Sequence, residues 1–312
     1  MNKLLVVFNT CGINRPRENF FQYAFNLQSI LQQDLKDMKV AVSSCMNSDN
    51  AKTYLMNSFG EELSYNFIDD QLPVSITFNH TVQKCVEKYG KFDGYLYVDS
   101  GIDFLGSNEY ISKLYELYST NRYAMVSSRV THDGGWDTWF KGEEESLFNG
   151  NIFEVPVGKA VNLHVQIFSN ELFETYGNVL PDIFAGQCME STFSFLCGAL
   201  KKKWGVHKDI VLNHETSMDG ASSGFLPFMW ERQGRKKWDH LFGTDESILD
   251  IIERGRQYGM GYEELQEIVM HDKDQYDAEG HVKNDNLKTY IRDNLYLKTH
   301  QFDYNSINHN FY

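Results

Sequence analysis

Four side chains of this chain could do acid–base or metal chemistry together. They are Asp99 and Asp103 in Val98-Asp-Ser-Gly-Ile-Asp103, Glu190 in Cys188-Met-Glu-Ser191, and His214 ahead of a polar stretch containing Ser217 and Asp219. Carboxylates are hard oxygen ligands that suit Mg²⁺ or Mn²⁺, and such an ion can hold a diphosphate. Asp, Ser and Gly are also ordinary turn residues, so the 99–103 segment equally reads as a strand stopping at a turn. Glu190 reads as a general base or as a surface acid favoured by a helix N-terminus. His214 reads as a metal ligand or as a satisfied hydrogen-bonding residue, whereas His164 and His207 read as structural. Arg15 and Arg17 are forked cations able to grip phosphate oxygens.

Positioning such groups requires an open sheet whose strands end along one rim. Tyr95 to Val98, bounded by Asp93-Gly94, predicts a short buried strand ending on Asp99. Lys3 to Phe8 and Lys39 to Val42 predict two more, the second followed by Ser43-Ser44-Cys45. Between them Phe20, Ala24, Leu27, Leu31 and Leu35 recur at helical steps, which gives a βαβ start. Further strands are predicted at Tyr65–Ile68, Tyr123–Ser128, Leu163–Ile167 (half-exposed, from its alternation) and about His207–Leu212. Helices are predicted beyond Pro73 through Val82, Cys85, Val86 and Tyr89, at Ile111–Tyr118, and at Met189–Leu200. Residues 131–150, with Trp136 and Trp139, read as a long loop that could close over a ligand. Residues 240–312 read as a C-terminal extension of short amphipathic helices packed on the sheet domain.

Composition limits the possibilities. With 312 residues and 42% apolar content, the chain can bury a substantial core. No apolar run reaches membrane-spanning length, and the first residues lack the apolar length of a signal peptide, so a cytoplasmic protein is expected. The five cysteines at positions 11, 45, 85, 188 and 197 form no close pair, as expected of core thiols in a reducing compartment. A net charge of −14 means that the surface as a whole does not attract nucleic acid or anionic membranes.

Taken in order, these elements resemble the nucleotide-sugar glycosyltransferases of the GT-A fold, especially family 2, over about residues 3–225. Val98-Asp-Ser-Gly-Ile-Asp103 resembles the family's Asp-x-Asp metal motif, and Cys188-Met-Glu-Ser191 its later Glu-Asp motif. His214-Glu-Thr-Ser217 resembles the histidine that completes metal binding. Ser29-Ile-Leu-Gln-Gln33 resembles the helix end before the family's second strand. Three departures stand out: Gly101 occupies the place of the second aspartate, Ser191 that of the acid beside Glu190, and Ser43-Ser44 that of the usual second-strand acids.

The resemblance implies a Rossmann-like, mostly parallel mixed α/β sheet flanked by helices, to which the residue pattern adds the helical C-terminal extension. Its domains would be 1–239, divided into a nucleotide-binding half (1–105) and an acceptor half (106–239), and then 240–312. It implies Mn²⁺ or Mg²⁺ on Asp99, Asp103 and His214. A nucleoside-diphosphate sugar donor would be bound by Asn9, Thr10, Arg15, Ser44, Asn79, Asp99, Ser100 and Gly101. Glu190 would be the base of an inverting transfer to a hydroxyl of a glycan, a protein, a small molecule or a hydroxylated nucleic-acid base. The alternatives are an inactive sugar- or nucleotide-binding module, suggested by Gly101 and Ser191, and a nucleotidyltransferase of the same fold class.

Overall fold

The computed structural model describes residues 2–11, 20–45, 49–69, 72, 74–132, 135–136, 149–155, 160–161, 163–182, 189–214 and 304–312. Its first strand, β1 (Asn2–Cys11), carries the run Leu4–Phe8, in which every residue is fully buried. A strand without an exposed face belongs inside a sheet covered on both sides. Accordingly β1 pairs in parallel with β2 (Met38–Cys45) on one flank and with β4 (Phe92–Asp99) on the other. Beyond β2 runs β3 (Ser64–Ile68), also parallel.

On the far side of β4 the sheet becomes mixed. The short strand β8 (Val165–Ser169) lies antiparallel between β4 and β5 (Tyr123–His132). β5 then pairs in parallel with β9 (Lys203–Asn213), which is edged by the antiparallel β7 (Ile152–Glu154). A two-residue strand, β6 (Gly135–Trp136), folds back on the end of β5. At the opposite edge β10 (His309–Phe311) pairs antiparallel with β3. The sheet order is thus β10-β3-β2-β1-β4-β8-β5-β9-β7. This is the mixed, mostly parallel α/β sheet expected from the sequence.

Helices cover both faces. On one face α1 (Phe20–Leu31), α2 (Asp49–Phe59) and α4 (Tyr110–Tyr118) press Leu27, Ile30, Leu55, Ile111 and Leu114 against Val6, Phe8, Leu96 and Val98. On the other, α3 (Val74–Tyr89), α5 (Asn170–Tyr176) and α6 (Phe193–Ala199) bring Phe78, Val82, Leu172, Phe193 and Leu196 onto Val7, Tyr95 and Tyr97. Tyr95 and Tyr97 therefore face α3, and Leu96 and Val98 face α1 and α4, as the two-residue period of a strand requires. Among the described residues no helix is long and apolar enough to cross a membrane.

Several local expectations change. β4 begins at Phe92 and runs through Gly94, where the sequence suggests a boundary. Glycine is used there for close packing: an added Cβ would lie 3.2 Å from both Ile167 and the Tyr118 ring. The strand expected to be half-exposed around Gln166 is buried along its whole length, because β8 is a central strand. Its polar Gln166 is satisfied inside, accepting from Ser127 Oγ at 3.0 Å. α2 and α5, which the sequence pattern does not announce, are short helices that present few core residues.

The end of the chain also differs. The described part of the expected helical extension is a single 3₁₀ turn, Tyr304–Ser306, followed by β10. The boundary drawn at 239 lies outside the described residues. Tyr304 docks by donating its hydroxyl to the buried carboxylate of Asp182, which also accepts from Asn178 at 2.7 Å. That pairing is what permits a carboxylate to be buried there.

Candidate metal and catalytic site

The site is built on the end of β4. Asp99 closes that strand, and its backbone N–H donates to the carbonyl of His164, 2.9 Å away. Because β8 runs antiparallel to β4, the start of β8 is delivered to the rim where β4 ends, and Val98 pairs with Val165. Nδ1 of His164 consequently lies 2.7 Å from Oδ2 of Asp99. The other oxygen, Oδ1, accepts from the hydroxyl of Tyr97 at 2.5 Å.

β9 runs in the β4 direction and ends at the same rim. His214 follows it, bridging to Ile102 just beyond Asp99 and donating its N–H to Thr131 at 3.2 Å. Its ring lies 4.6 Å from that of His164, at 30°. One ligand atom from each of Asp99, His164 and His214 can be chosen so that all lie within 4.8 Å of one another. Ligands bound to one ion at about 2.1 Å lie up to about 4.2 Å apart, so shifts of some tenths of an ångström close the set. A carboxylate with two imidazoles is a sound donor set for a first-row divalent ion.

Glu190 opens the 3₁₀ turn Glu190–Thr192 that leads into α6. Burial raises its pKa above the usual carboxylate value, and the charge of Asp99 adds to the rise. Hydrogen bonds from its own backbone N–H and that of Leu163, with the nearby His164, act in the opposite direction. Tyr97 also feels Glu190, and its hydroxyl pKa is pushed up by burial and by both acids. The two-residue segment Leu163-His164 therefore touches both acids, His164 holding Asp99 and Leu163 holding Glu190.

A polar stripe on α1 secures the loop after Asp99. Asn26 donates to the carbonyl of Ser100 at 2.7 Å, Ser29 Oγ accepts from the N–H of Phe104 at 3.0 Å, and Gln33 donates to the carbonyls of Phe104 and Ser107. The spacing of these residues, three and four apart, places them on one face of the helix and its end. The segment Ser29–Gln33 singled out from the sequence thus orients the loop that leaves Asp99.

The remaining expected site residues are distributed unevenly. Asn9 is in register with Asp99 on one side and Ser43 on the other, and Thr10 with Ser44. All four side chains, those of Asn9, Thr10, Ser43 and Ser44, are buried at the strand ends. Asn9 donates to the carbonyls of Val7 and Val98, while its Oδ1, Thr10 Oγ1 and Ser43 Oγ have no partner among the described residues. Ser100 and Gly101 form the turn after β4. Arg15, Arg17, Cys188 and Trp139 lie outside the described residues, as does the side chain of Trp136.

Two residues are used otherwise than expected. Asp103 is not one of the three clustered ligands; its Oδ1 accepts from the N–H of Leu105 at 3.1 Å, an acid capping its own turn. Asn79 is fully engaged elsewhere: its Oδ1 accepts from the N–H groups of Val179 and Leu180, and its Nδ2 donates to Leu180 and the Tyr304 hydroxyl. Four partners exhaust an amide, leaving nothing for a ligand. His164, read as structural from the sequence, is the side chain that lies beside Asp99 and His214. The missed signal is positional, since only the antiparallel placement of β8 sets residue 164 beside residue 99. His207 is structural as read: its Nδ1 accepts from the N–H of Asp209, and burial lowers its pKa.

The ligand assignment predicts a contrast. His164→Ala is expected to abolish stabilisation by Mn²⁺ in thermal unfolding, whereas Asp103→Ala retains it. The opposite pattern would restore Asp103 to the ligand set.

No protein-family model matches the sequence, and no curated protein is significantly similar to it. Among solved structures it is similar to a mannosyltransferase from Pyrobaculum calidifontis in complex with GDP-Man and Mn²⁺. Identity is 12%, the likeness covers 85% of this chain and 78% of that one, and the TM-score is 0.49.

Proposed function

We propose that this chain is a metal-dependent glycosyltransferase that moves a sugar from a nucleoside-diphosphate donor to an acceptor hydroxyl. The observation that carries this reading is the meeting of Asp99, His164 and His214 at one rim of the sheet, with the desolvated carboxyl of Glu190 beside them. A divalent ion bound by those three residues would supply positive charge to the departing diphosphate. The two imidazoles favour Mn²⁺ over Mg²⁺, whose preference is for oxygen ligands.

Glu190 has the properties required of the base. Its raised pKa strengthens it as a proton acceptor. It takes the acceptor's proton as the acceptor oxygen bonds to the anomeric carbon. The bond from that carbon to the diphosphate breaks, and the nucleoside diphosphate leaves with the bonding electrons. Attack from the face opposite the leaving group inverts the anomeric centre. The buried hydroxyls and amide of Asn9, Thr10, Ser43 and Ser44 occupy the strand ends next to Asp99, the side on which we place the nucleotide.

A panel of nucleoside diphosphates and their sugars, GDP-mannose among them, tests this reading by thermal shift with and without Mn²⁺. A donor binding the folded state raises the melting temperature by mass action. We expect stabilisation by one nucleotide series only when Mn²⁺ is present. Absence of any Mn²⁺-dependent shift would exclude a metal-dependent transferase. Gly101 and Ser191 favour a second reading, a binding module without turnover. That reading predicts the same shift but no release of nucleoside diphosphate with any acceptor or with water.

A further inference from the structure

We propose that Tyr97 is a positioning residue for the metal carboxylate, its hydroxyl holding one oxygen of Asp99 so that the other stays turned toward His164. This rests on the assignment of Asp99, His164 and His214 as the metal site. Tyr97 stands two residues before Asp99 on β4, so both side chains project from the same face of the sheet. The ring is buried in the core, tilted against Phe78 of α3 at a centroid distance of 5.5 Å. Packing of this kind fixes the ring, and its hydroxyl emerges at the strand end, 2.5 Å from Oδ1 of Asp99.

A carboxylate at the end of a strand turns readily about its last bond. Here each oxygen has its own contact, Oδ1 with Tyr97 and Oδ2 with His164. The contact on Oδ2 comes from His164, itself one of the three clustered groups. The Tyr97 contact lies on the other oxygen and does not compete. It therefore keeps the Asp99 carboxylate aligned whether or not an ion is bound, which lowers the cost of ordering the ligand set. Groups that orient a metal ligand from behind contribute about 10–100-fold to metal affinity.

β4 supplies a matched control. Tyr95, two residues further back, is also fully buried, and its hydroxyl donates to Asn170 at 2.8 Å, away from the three ligands. Phenylalanine at either position keeps the ring and removes one hydroxyl. The experiment is calorimetric titration of the full chain with MnCl₂, with no donor or acceptor present, for wild type, Tyr97→Phe and Tyr95→Phe. Thermal unfolding of each metal-free protein is recorded beside it.

Tyr97→Phe is expected to weaken Mn²⁺ binding about 10–100-fold. Tyr95→Phe should bind Mn²⁺ as wild type does, even if its metal-free melting temperature falls. Unchanged binding by Tyr97→Phe, beside a wild type that binds, would overturn the positioning role and leave the metal site standing. Equal weakening by both variants would also overturn it, since the effect would then come from loss of core stability. A wild type that binds no Mn²⁺ would remove the metal site and the role of Tyr97 together.

Discussion

Glu190→Gln is expected to lower sugar transfer by about 10²–10⁴-fold, the usual contribution of a general base, while making the folded protein more stable at neutral pH. Both effects come from burial of the carboxyl, which raises its pKa in the folded state above the ordinary value of 4.5. Below 4.5 the group is protonated in folded and unfolded chains alike, and Glu and Gln behave similarly. As pH rises through 4.5 toward the folded value, the unfolded chain ionises first and the wild type loses stability. Above the folded value the loss is complete and constant. Glutamine never ionises, so the gap in melting temperature should open over that interval in the variant's favour.

Activity should follow the opposite course. Wild-type turnover should rise as Glu190 loses its proton, at a pH above that of an ordinary carboxylate, and the variant should lack this limb. Melting curves and rates at a series of pH values check both halves. If Glu190→Gln costs activity but leaves stability unchanged at every pH, the carboxyl is not desolvated as its surroundings indicate. Wild-type activity in the variant would remove Glu190 as the base.

The second large effect is expected at Asp99. Asp99→Ala should abolish both Mn²⁺ binding and transfer, because it deletes the only carboxylate among the three clustered ligands. It should also destabilise the metal-free protein. The Tyr97 hydroxyl, buried and bonded to Asp99, would lose its acceptor, at a cost of about 1–3 kcal/mol. Asp99→Asn separates the two losses. The amide oxygen can still accept from Tyr97, so stability should be largely kept while the charge that attracts the cation is gone. Urea unfolding gives the stabilities, and titration with MnCl₂ gives the binding. A folded Asp99→Ala variant that binds Mn²⁺ like wild type would dismiss the metal assignment.

The legible parts of the site share one property: each lies at the end of a run whose burial is written locally. Leu4–Phe8 and Tyr95–Val98 are continuous apolar runs, and such runs become central parallel strands. Strands laid parallel finish along one rim, so Asp99, the first polar side chain after such a run, has to be found there. His214 follows from the same logic, since β9 is parallel to β5 and ends at that rim. Glu190 is recognisable at the start of a helix, but sequence does not separate its function from that of a surface acid. Desolvation of the carboxyl, which raises its pKa, favours the first, and desolvation is decided by tertiary packing.

His164, Asp103 and Asn79 are not legible in this way. His164 precedes a strand whose alternation suggests an exposed face, because Gln166 is polar; a bond from Ser127, on the neighbouring strand β5, is what allows Gln166 inside. Asp103 resembles a ligand by its distance from Asp99 along the chain. One of its oxygens accepts from Leu105 in the turn that α1 holds through Asn26, Ser29 and Gln33, and the carboxylate is not among the three clustered groups. Asn79 is taken by the backbone at residues 179–180 and by Tyr304, partners about a hundred and more than two hundred residues away.

By itself the sequence determined the α/β alternation, the central strands β1 and β4, and the presence of an acid where β4 stops. Those depend on hydrophobic period and run length, which act over a few residues. Tertiary structure alone decided that an antiparallel strand enters between β4 and β5, that His164 and not Asp103 joins Asp99, and that the last residues return as an edge strand on β3. These depend on which distant segments pair, and pairing energy is shared between two stretches of chain of which neither alone carries the signal.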